Sequence, residues 1–223
     1  MSDWIKLKAS DGFELSAWRA DPKGAPRGGI VVIQEIFGVN HHIRSVTDRI
    51  AAEGYLAIAP AVFDRVQPGV ELGYDQPGMA SGMELAGKLV RESAMQDVAA
   101  AIAAAAAGGK VGITGFCMGG TFTWGASASQ PGLAAAVGYY GGQIAQFHTE
   151  KPKAPVMLHF GEKDQSIPLT DVDKIKAAHP EAPIFVYMGA GHGFHCDERG
   201  SFNAEAAQVA ACRSQEFLAK HIG

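Results

Sequence analysis

The sequence lacks the features that mark membrane, secreted and metal-binding proteins. No apolar run is long enough to span a bilayer, and the alanine-rich segment at 99–107 is too short to do so. The first residues, Met1 to Lys6, do not have the basic and then apolar layout of a signal peptide. Only three cysteines are present, and none are spaced as a metal-binding pair: Cys117, Cys196 and Cys212. These absences predict reduced thiols, a cytoplasmic location and no metal site.

Charge is scarce as well. Asp, Glu, Lys and Arg make up 19% of the residues, and the net charge at pH 7 is -4. We therefore expect neither nucleic acid nor an anionic membrane as a partner. Hydrophobic residues make up 47%, which is typical of a folded globular protein. Because there is no internal repeat, low-complexity tail or linker, residues 1–223 are predicted to form a single domain and to be a monomer.

What the sequence does contain is an alternation of β-branched runs and helix-forming segments. Alternating apolar and polar residues on both sides of Ser10-Asp11-Gly12 predict a hairpin. Further strands are predicted at 28–35, 55–59, 110–114, 133–139, 154–161 and 183–188, and helices at 41–53, 92–107, 203–221 and from 121 onward. This alternation predicts an α/β fold, with a mostly parallel sheet covered by helices on both faces. Residues 68–82, rich in glycine and proline, are predicted to be a long irregular loop that walls a pocket.

A cysteine occupies the centre of a nucleophile-elbow pattern, Gly115-Phe116-Cys117-Met118-Gly119-Gly120. A tight strand-to-helix turn leaves room only for small residues two positions before and after the nucleophile, and glycines stand at both. The turn would place Cys117 at a helix N-terminus, where the dipole favours a thiolate and the Met118 N–H can donate to an oxyanion. Taken alone, the pattern also fits a glycine-rich turn that buries a free cysteine.

Two later segments supply the partners that a nucleophile needs. Asp164 follows the predicted strand at 154–161, and His192, flanked by glycines, follows the one at 183–188. Asp171 and Asp173 are alternatives, but Asp164 lies closest to the end of its strand. The order nucleophile, acid, histidine, each just past a strand, is the order of the α/β-hydrolase fold.

The loop after the strand at 28–35 carries a second group of candidates, Gln34-Glu35-Ile36-Phe37-Gly38-Val39-Asn40. In an α/β-hydrolase the second oxyanion N–H comes from this loop, and Ile36 would provide it here. Glu35 is placed to face the Cys117 thiol and accept its proton, with its own pKa raised in an apolar pocket. The alternative is that Glu35 merely ends a strand in solvent.

Four separated motifs together resemble the dienelactone hydrolase family: 34–40, 115–120, Gly138-Tyr139-Tyr140-Gly141 and Gly191-His192-Gly193-Phe194. The resemblance implies a Cys-His-Asp triad of Cys117, His192 and Asp164. It also implies that Glu35 holds the resting thiol and takes its proton when substrate arrives. Such enzymes open the lactone of dienelactone to give maleylacetate through a thioester acyl-enzyme, without metal or organic cofactor.

The family binds the substrate carboxylate with arginines, and the sequence departs from that pattern. Cys196 stands where one family arginine follows the triad histidine, and the region of the other, 75–83, has none. Arg199 is the nearest candidate, and Tyr139 and Phe37 complete the predicted substrate-binding residues. Arg44, Arg65 and Arg91 are the remaining candidates in this half of the sequence, with a solvated surface charge as the favoured alternative for each. His41 and His42 are predicted to be surface residues at a helix start.

The sequence thus predicts a cofactor-free cysteine hydrolase that acts on a small-molecule lactone or enol ester. A general esterase or thioesterase on the same scaffold is the alternative within the same class. A thiol redox-responsive binding protein, with Cys117 reactive and Cys196 as its resolving partner, is the alternative from a different class.

Overall fold

One eight-stranded sheet runs through the molecule, with the strand order β1-β2-β4-β3-β5-β6-β7-β8. The computed structural model describes all residues, 1–223. The strands are β1 (Ser2–Lys8), β2 (Glu14–Ala20), β3 (Gly29–Ile33), β4 (Leu56–Pro60), β5 (Val111–Phe116), β6 (Leu133–Tyr139), β7 (Val156–Gly161) and β8 (Ile184–Tyr187). β1 and β2 form an antiparallel hairpin, and β2 also pairs with β4 in the antiparallel direction. All other strand pairs are parallel. Strands β3, β4 and β5 are buried along their whole length, which explains their continuous apolar sequences.

Six α-helices cover this sheet: α1 (His41–Ala52), α2 (Gln76–Lys88), α3 (Arg91–Ala105), α4 (Met118–Ser129), α5 (Leu169–Ala178) and α6 (Ala204–Ile222). Helices lie on both faces, as two adjacent glycines show. A Cβ atom on Gly28 would lie 2.2 Å from Ile222 of α6, and one on Gly29 would lie 2.0 Å from the carbonyl oxygen of Ala105 in α3. Since successive side chains of a strand point to opposite faces, α3 and α6 cover opposite sides. The predicted α/β-hydrolase fold is confirmed.

The sequence predicts an irregular loop over the whole of 68–82. The structure differs, because the second half of this segment is helical. Helix α2 begins inside it at Gln76, where the Asp75 side chain caps the helix by accepting a hydrogen bond from the Gly78 N–H. Proline is compatible with a first helical turn, and a capping aspartate outweighs the low helix propensity of this composition. A Cβ on Gly82 would lie 2.3 Å from the carbonyl oxygen of Ile36, so α2 packs directly on the loop that carries Ile36.

The main core contains 48 buried residues around the sheet, and a second cluster of five lies beneath α2: Ile36, Phe37, Phe63, Val70 and Leu85. The second cluster joins the loop after β3 to the segment that precedes and forms α2. Helix α5 follows β7 and was not predicted. No helix has both the length and the apolarity needed to cross a bilayer.

Candidate active site

Cys117 alone forms the turn between β5 and α4. Its backbone is left-handed, with φ 56° and ψ -115°, a conformation that costs a non-glycine residue free energy and recurs at functional sites. The neighbouring glycines are required sterically. A Cβ on Gly115 would lie 2.2 Å from the carbonyl oxygen of Gly119, and one on Gly119 would lie 2.3 Å from that of Ile33. The strained turn leaves the thiol at the N-terminus of α4.

Asp164, His192 and Cys117 lie together just past the ends of β7, β8 and β5. The Nδ1 atom of His192 lies 2.7 Å from Oδ2 of Asp164, whose side chain is fully buried. The other carboxylate oxygen of Asp164 accepts hydrogen bonds from the backbone N–H groups of Ser166 (2.8 Å) and Ile167 (3.2 Å). The His192 ring also lies close enough to the Cys117 thiol for the sulfur to affect the pKa of the imidazole. Asp171 and Asp173, the alternative acids, lie in α5 and make no hydrogen bond to His192.

The environment of His192 favours its charged form. Burial alone would lower the pKa of the imidazole, but hydrogen bonds to Asp164 and Cys117, together with their negative charges, raise it to about 10. At neutral pH the ring is therefore an imidazolium that donates from one nitrogen to Asp164 and faces the sulfur of Cys117 with the other.

The raised pKa of His192 predicts a loss of folding stability at alkaline pH. A histidine whose pKa rises from 6.5 to about 10 on folding contributes stability that is complete below pH 6.5 and is lost as the pH rises through about 10. Thermal melts of the wild type and His192→Gln between pH 6 and 10.5 test this. The wild type should lose its advantage over the variant as the pH rises, and parallel curves across that range would contradict the expectation.

Two backbone N–H groups beside Cys117 have no acceptor within the protein. Ile33 of β3 pairs with Gly115 of β5, so the loop that follows β3 lies beside the turn of Cys117. The N–H of Ile36 in that loop makes no hydrogen bond to the protein, and that of Met118 opens α4. Both residues line the same cavity as Cys117, which is the arrangement that an oxyanion hole requires.

Glu35 is completely buried, which excludes the alternative of a strand end in solvent. Its Oε1 accepts a hydrogen bond from Nη1 of Arg199 at 3.1 Å, and its Oε2 accepts one from the Tyr74 hydroxyl at 3.1 Å. Burial, together with the Glu35 carboxylate, raises the pKa of Tyr74 far above its usual value, so the hydroxyl remains a donor. In this state the side-chain hydrogen bonds of Glu35 go to Arg199 and Tyr74, and none goes to the Cys117 thiol.

A cavity of about 530 Å³ opens in front of these groups. Its apolar wall is formed by α2 with the residue after it, by the loop after β3 and by the start of α4. The residues are Met79, Met83, Ala86, Leu89, Ile36, Phe37, Met118 and Phe122. Cys117 and His192 line it, and two cations reach it, Arg199 and Arg91. An apolar cavity with a few convergent polar groups is typical of a small-molecule site.

Comparison with known proteins assigns the chain to a family. The model of the dienelactone hydrolase family matches residues 15–222. The chain belongs to this family. It is 38% identical to a putative carboxymethylenebutenolidase of Synechocystis sp., covering 89% of this chain and 88% of that protein. It is 31% identical to the carboxymethylenebutenolidase of Pseudomonas putida, covering 98% and 97%. A crystal structure of a putative dienelactone hydrolase from Klebsiella pneumoniae superposes with a TM-score of 0.89 at 32% identity, covering 99% and 98%.

Membership of the dienelactone hydrolase family identifies the protein as a hydrolase of esters or lactones. Of its predicted substrate-binding residues, Arg199 and Phe37 line the cavity, and the Arg199 cation lies over the Phe37 ring at 5.5 Å. Tyr139 does not line it. Its side chain points from β6 toward α6, where the hydroxyl lies 2.6 Å from Oγ of Ser214. Cys196 is buried beside Tyr74, and burial, followed by the charge of Glu35, raises the pKa of its thiol to about 12.

Contacts between α1 and the chain after His192 hold Arg199 in place. His42 is buried, contrary to the prediction of a surface residue, and its Nδ1 lies 3.1 Å from Asp197. His41 is exposed, and its Nδ1 lies 2.6 Å from Glu198. The two histidines therefore fix the segment immediately before Arg199. Sequence reasoning missed this role, as it missed Tyr74, because no local pattern signals pairing with residues so distant in the chain.

Proposed function

We propose that this member of the dienelactone hydrolase family opens lactones or enol esters of the dienelactone type, giving maleylacetate, through a triad of Cys117, His192 and Asp164. The supporting observation is that the Asp164–His192 hydrogen bond and the adjacent Cys117 thiol lie at the wall of a cavity that also contains the Arg199 cation. A carboxylated lactone combines an electrophilic carbonyl for the thiolate with an anion for the guanidinium.

Acylation begins with the Cys117 thiolate, whose proton resides on His192. The sulfur attacks the carbonyl carbon, and the carbonyl oxygen takes the electron pair as an oxyanion. The N–H groups of Ile36 and Met118 stabilise that charge. When the oxyanion collapses, the bond from carbon to the ring oxygen breaks, and the enolate leaves with the proton from His192. The product of this half-reaction is a thioester on Cys117.

Deacylation uses His192 as a base. The ring, neutral after giving up its proton, removes a proton from a water molecule that attacks the thioester carbonyl, while Asp164 holds the ring through Nδ1. The second oxyanion collapses by expelling the Cys117 thiolate, and the new carboxylic acid releases its proton to water as the product leaves. The imidazolium that remains restores the starting ion pair.

Recognition of the substrate carboxylate falls to Arg199. In the free protein Glu35 binds this guanidinium at 3.1 Å, so an incoming carboxylate competes with Glu35 for the same donor. Displacement frees an oxygen of Glu35. Because the proton of Cys117 already resides on His192 in this mechanism, the transfer of the thiol proton to Glu35 that the family resemblance implies is not required. Arg199 thereby links binding of an anionic substrate to release of the buried Glu35 carboxylate.

Steady-state kinetics on two substrates test this proposal. We expect kcat/KM for dienelactone to exceed that for p-nitrophenyl acetate, which has no carboxylate, and the ratio to fall about 10- to 100-fold in Arg199→Lys, since lysine cannot reproduce the paired N–H geometry. Arg213→Lys, a control on an arginine that contacts Tyr187 outside the cavity, should leave the ratio unchanged. A wild-type preference for p-nitrophenyl acetate would instead indicate a general esterase.

A further inference from the structure

Arg91 lies between two cavities. It is the first residue of α3, and it lines both the active-site cavity and a separate surface cleft of about 630 Å³. Helix α4 passes along both spaces. Thr121 and Phe122 of this helix line the active-site cavity, and Gly125 lines the cleft. One helical turn, about 5.4 Å, therefore separates them along α4, and Arg91 occupies that boundary.

Three neighbouring groups contact the guanidinium of Arg91. Its Nη2 donates to both carboxylate oxygens of Glu150, at 2.9 and 3.1 Å. Its charged carbon lies 4.0 Å from the centre of the Phe147 ring. A Cβ on Gly125 would lie 2.6 Å from Nη2, so the guanidinium packs against α4 at a position that has no side chain. The side chain of Arg91 thus contacts α4, Phe147 and Glu150 together.

We propose that Arg91 closes the far end of the active-site cavity and limits the enzyme to compact lactones and short-chain esters. This inference rests on the proposed hydrolytic site at Cys117. With Arg91 in place, a substrate chain that runs along α4 from Cys117 meets the guanidinium after Phe122. Without it, the chain can continue past Gly125 into the cleft beside Met95 and Ala99, which bury further methylene groups.

The Arg91–Glu150 pair is suited to this role because its ion pair is expected to contribute little to the stability of the fold. Both side chains remain partly exposed, at 29% and 28%, and partly exposed ion pairs contribute little to stability. Arg91 is therefore a specificity residue whose removal should alter the choice of substrate rather than the folding of the chain.

Esters of graded length test the proposal. We would measure kcat/KM of Arg91→Ala on p-nitrophenyl acetate, butyrate and octanoate, and on methyl to octyl acetates, which extend the other side of the ester. Each additional methylene buried in the opened space should raise kcat/KM roughly fourfold. In at least one series the ratio of longest to shortest should therefore rise at least about tenfold over the wild type. Lys151→Ala, which removes a cation lining only the cleft, should leave both ratios unchanged.

Glu150→Ala provides a second test of the role of Arg91, and Cys117→Ala is the control for the hydrolytic site. Glu150→Ala frees the guanidinium from its anchor and should shift the same ratio in the same direction by a smaller amount, which serves if Arg91→Ala does not fold. Unchanged ratios in both variants, with hydrolysis still dependent on Cys117, would overturn the role of Arg91. Hydrolysis that persists in Cys117→Ala would instead refute the proposed function.

Discussion

Replacing Cys117 by alanine is expected to lower kcat/KM for dienelactone and for p-nitrophenyl acetate by at least about 10⁴-fold. The substitution removes the sulfur of the proposed nucleophile, while the two free N–H groups of the proposed oxyanion hole, those of Ile36 and Met118, remain. The residual rate should therefore exceed that in water without approaching that of the wild type. Alanine is also the smallest side chain that keeps a Cβ in the left-handed turn, where φ is 56°, so the strain at this position is retained.

Cys117→Ser is the matched control for this experiment. It preserves the turn and the contact with His192, but serine gives up its proton far less readily than cysteine. We expect measurable hydrolysis below the wild-type rate. Rapid quenching and mass spectrometry of the wild type should show an acyl group on the peptide containing Cys117, absent in Cys117→Ala. An alanine variant that keeps a tenth of the wild-type activity would refute nucleophilic catalysis by this residue.

The three proposed triad residues could be predicted to converge because of where each lies relative to a strand. Cys117, Asp164 and His192 each follow the carboxyl end of a strand in a parallel sheet, and β5, β6, β7 and β8 are consecutive neighbours. Parallel strands end at one edge of the sheet, so short loops bring their first polar residues together. The glycines of the turn at Cys117 carry a similarly local signal, since a side chain there would strike backbone atoms.

The side of the cavity that selects the substrate was less predictable, because it is built from long-range pairs. Tyr74 reaches Glu35 across 39 residues, and Arg91 reaches Glu150 across 59. Neither pair has a spacing that a helix or strand period would reveal. The many glycines and prolines of 68–82 gave no indication that α2 begins there. Tyr139 ends a strand beside the site, but the alternation of side chains along the strand directs it into the core.

The segment before α2 and the oxyanion loop form one packed unit. Helix α2 rests on the carbonyl of Ile36 through Gly82, and Tyr74 places its ring 4.6 Å from that of Phe37 while its hydroxyl binds Glu35. Movement of α2 would therefore disturb a proposed oxyanion donor and the Glu35 carboxylate together. The wall that contacts the substrate is physically continuous with the groups proposed to react with it.

Removing one partner of the Glu35–Arg199 pair should destabilise the protein by roughly 3–5 kcal/mol. The carboxylate side chain is 1% exposed and the guanidinium 12%. In Arg199→Met the Glu35 carboxylate would keep only the Tyr74 hydroxyl as a donor, and a buried charge without its counterion is costly. Urea denaturation of the wild type and the variant at pH 7 measures the difference in the free energy of unfolding.

The double variant Glu35→Gln/Arg199→Met separates charge from packing. With both charges gone, most of the cost should disappear, so the double variant should be more stable than Arg199→Met and the two single effects should not add. Additivity to within about 0.5 kcal/mol would contradict a buried, coupled pair. If the coupling is found, the free protein holds Arg199 through its ion pair with Glu35, and a substrate that displaces Glu35 must offer the guanidinium another negative charge. An uncharged ester cannot do so, and the stability of the resting pair thus becomes a source of selectivity for carboxylated substrates.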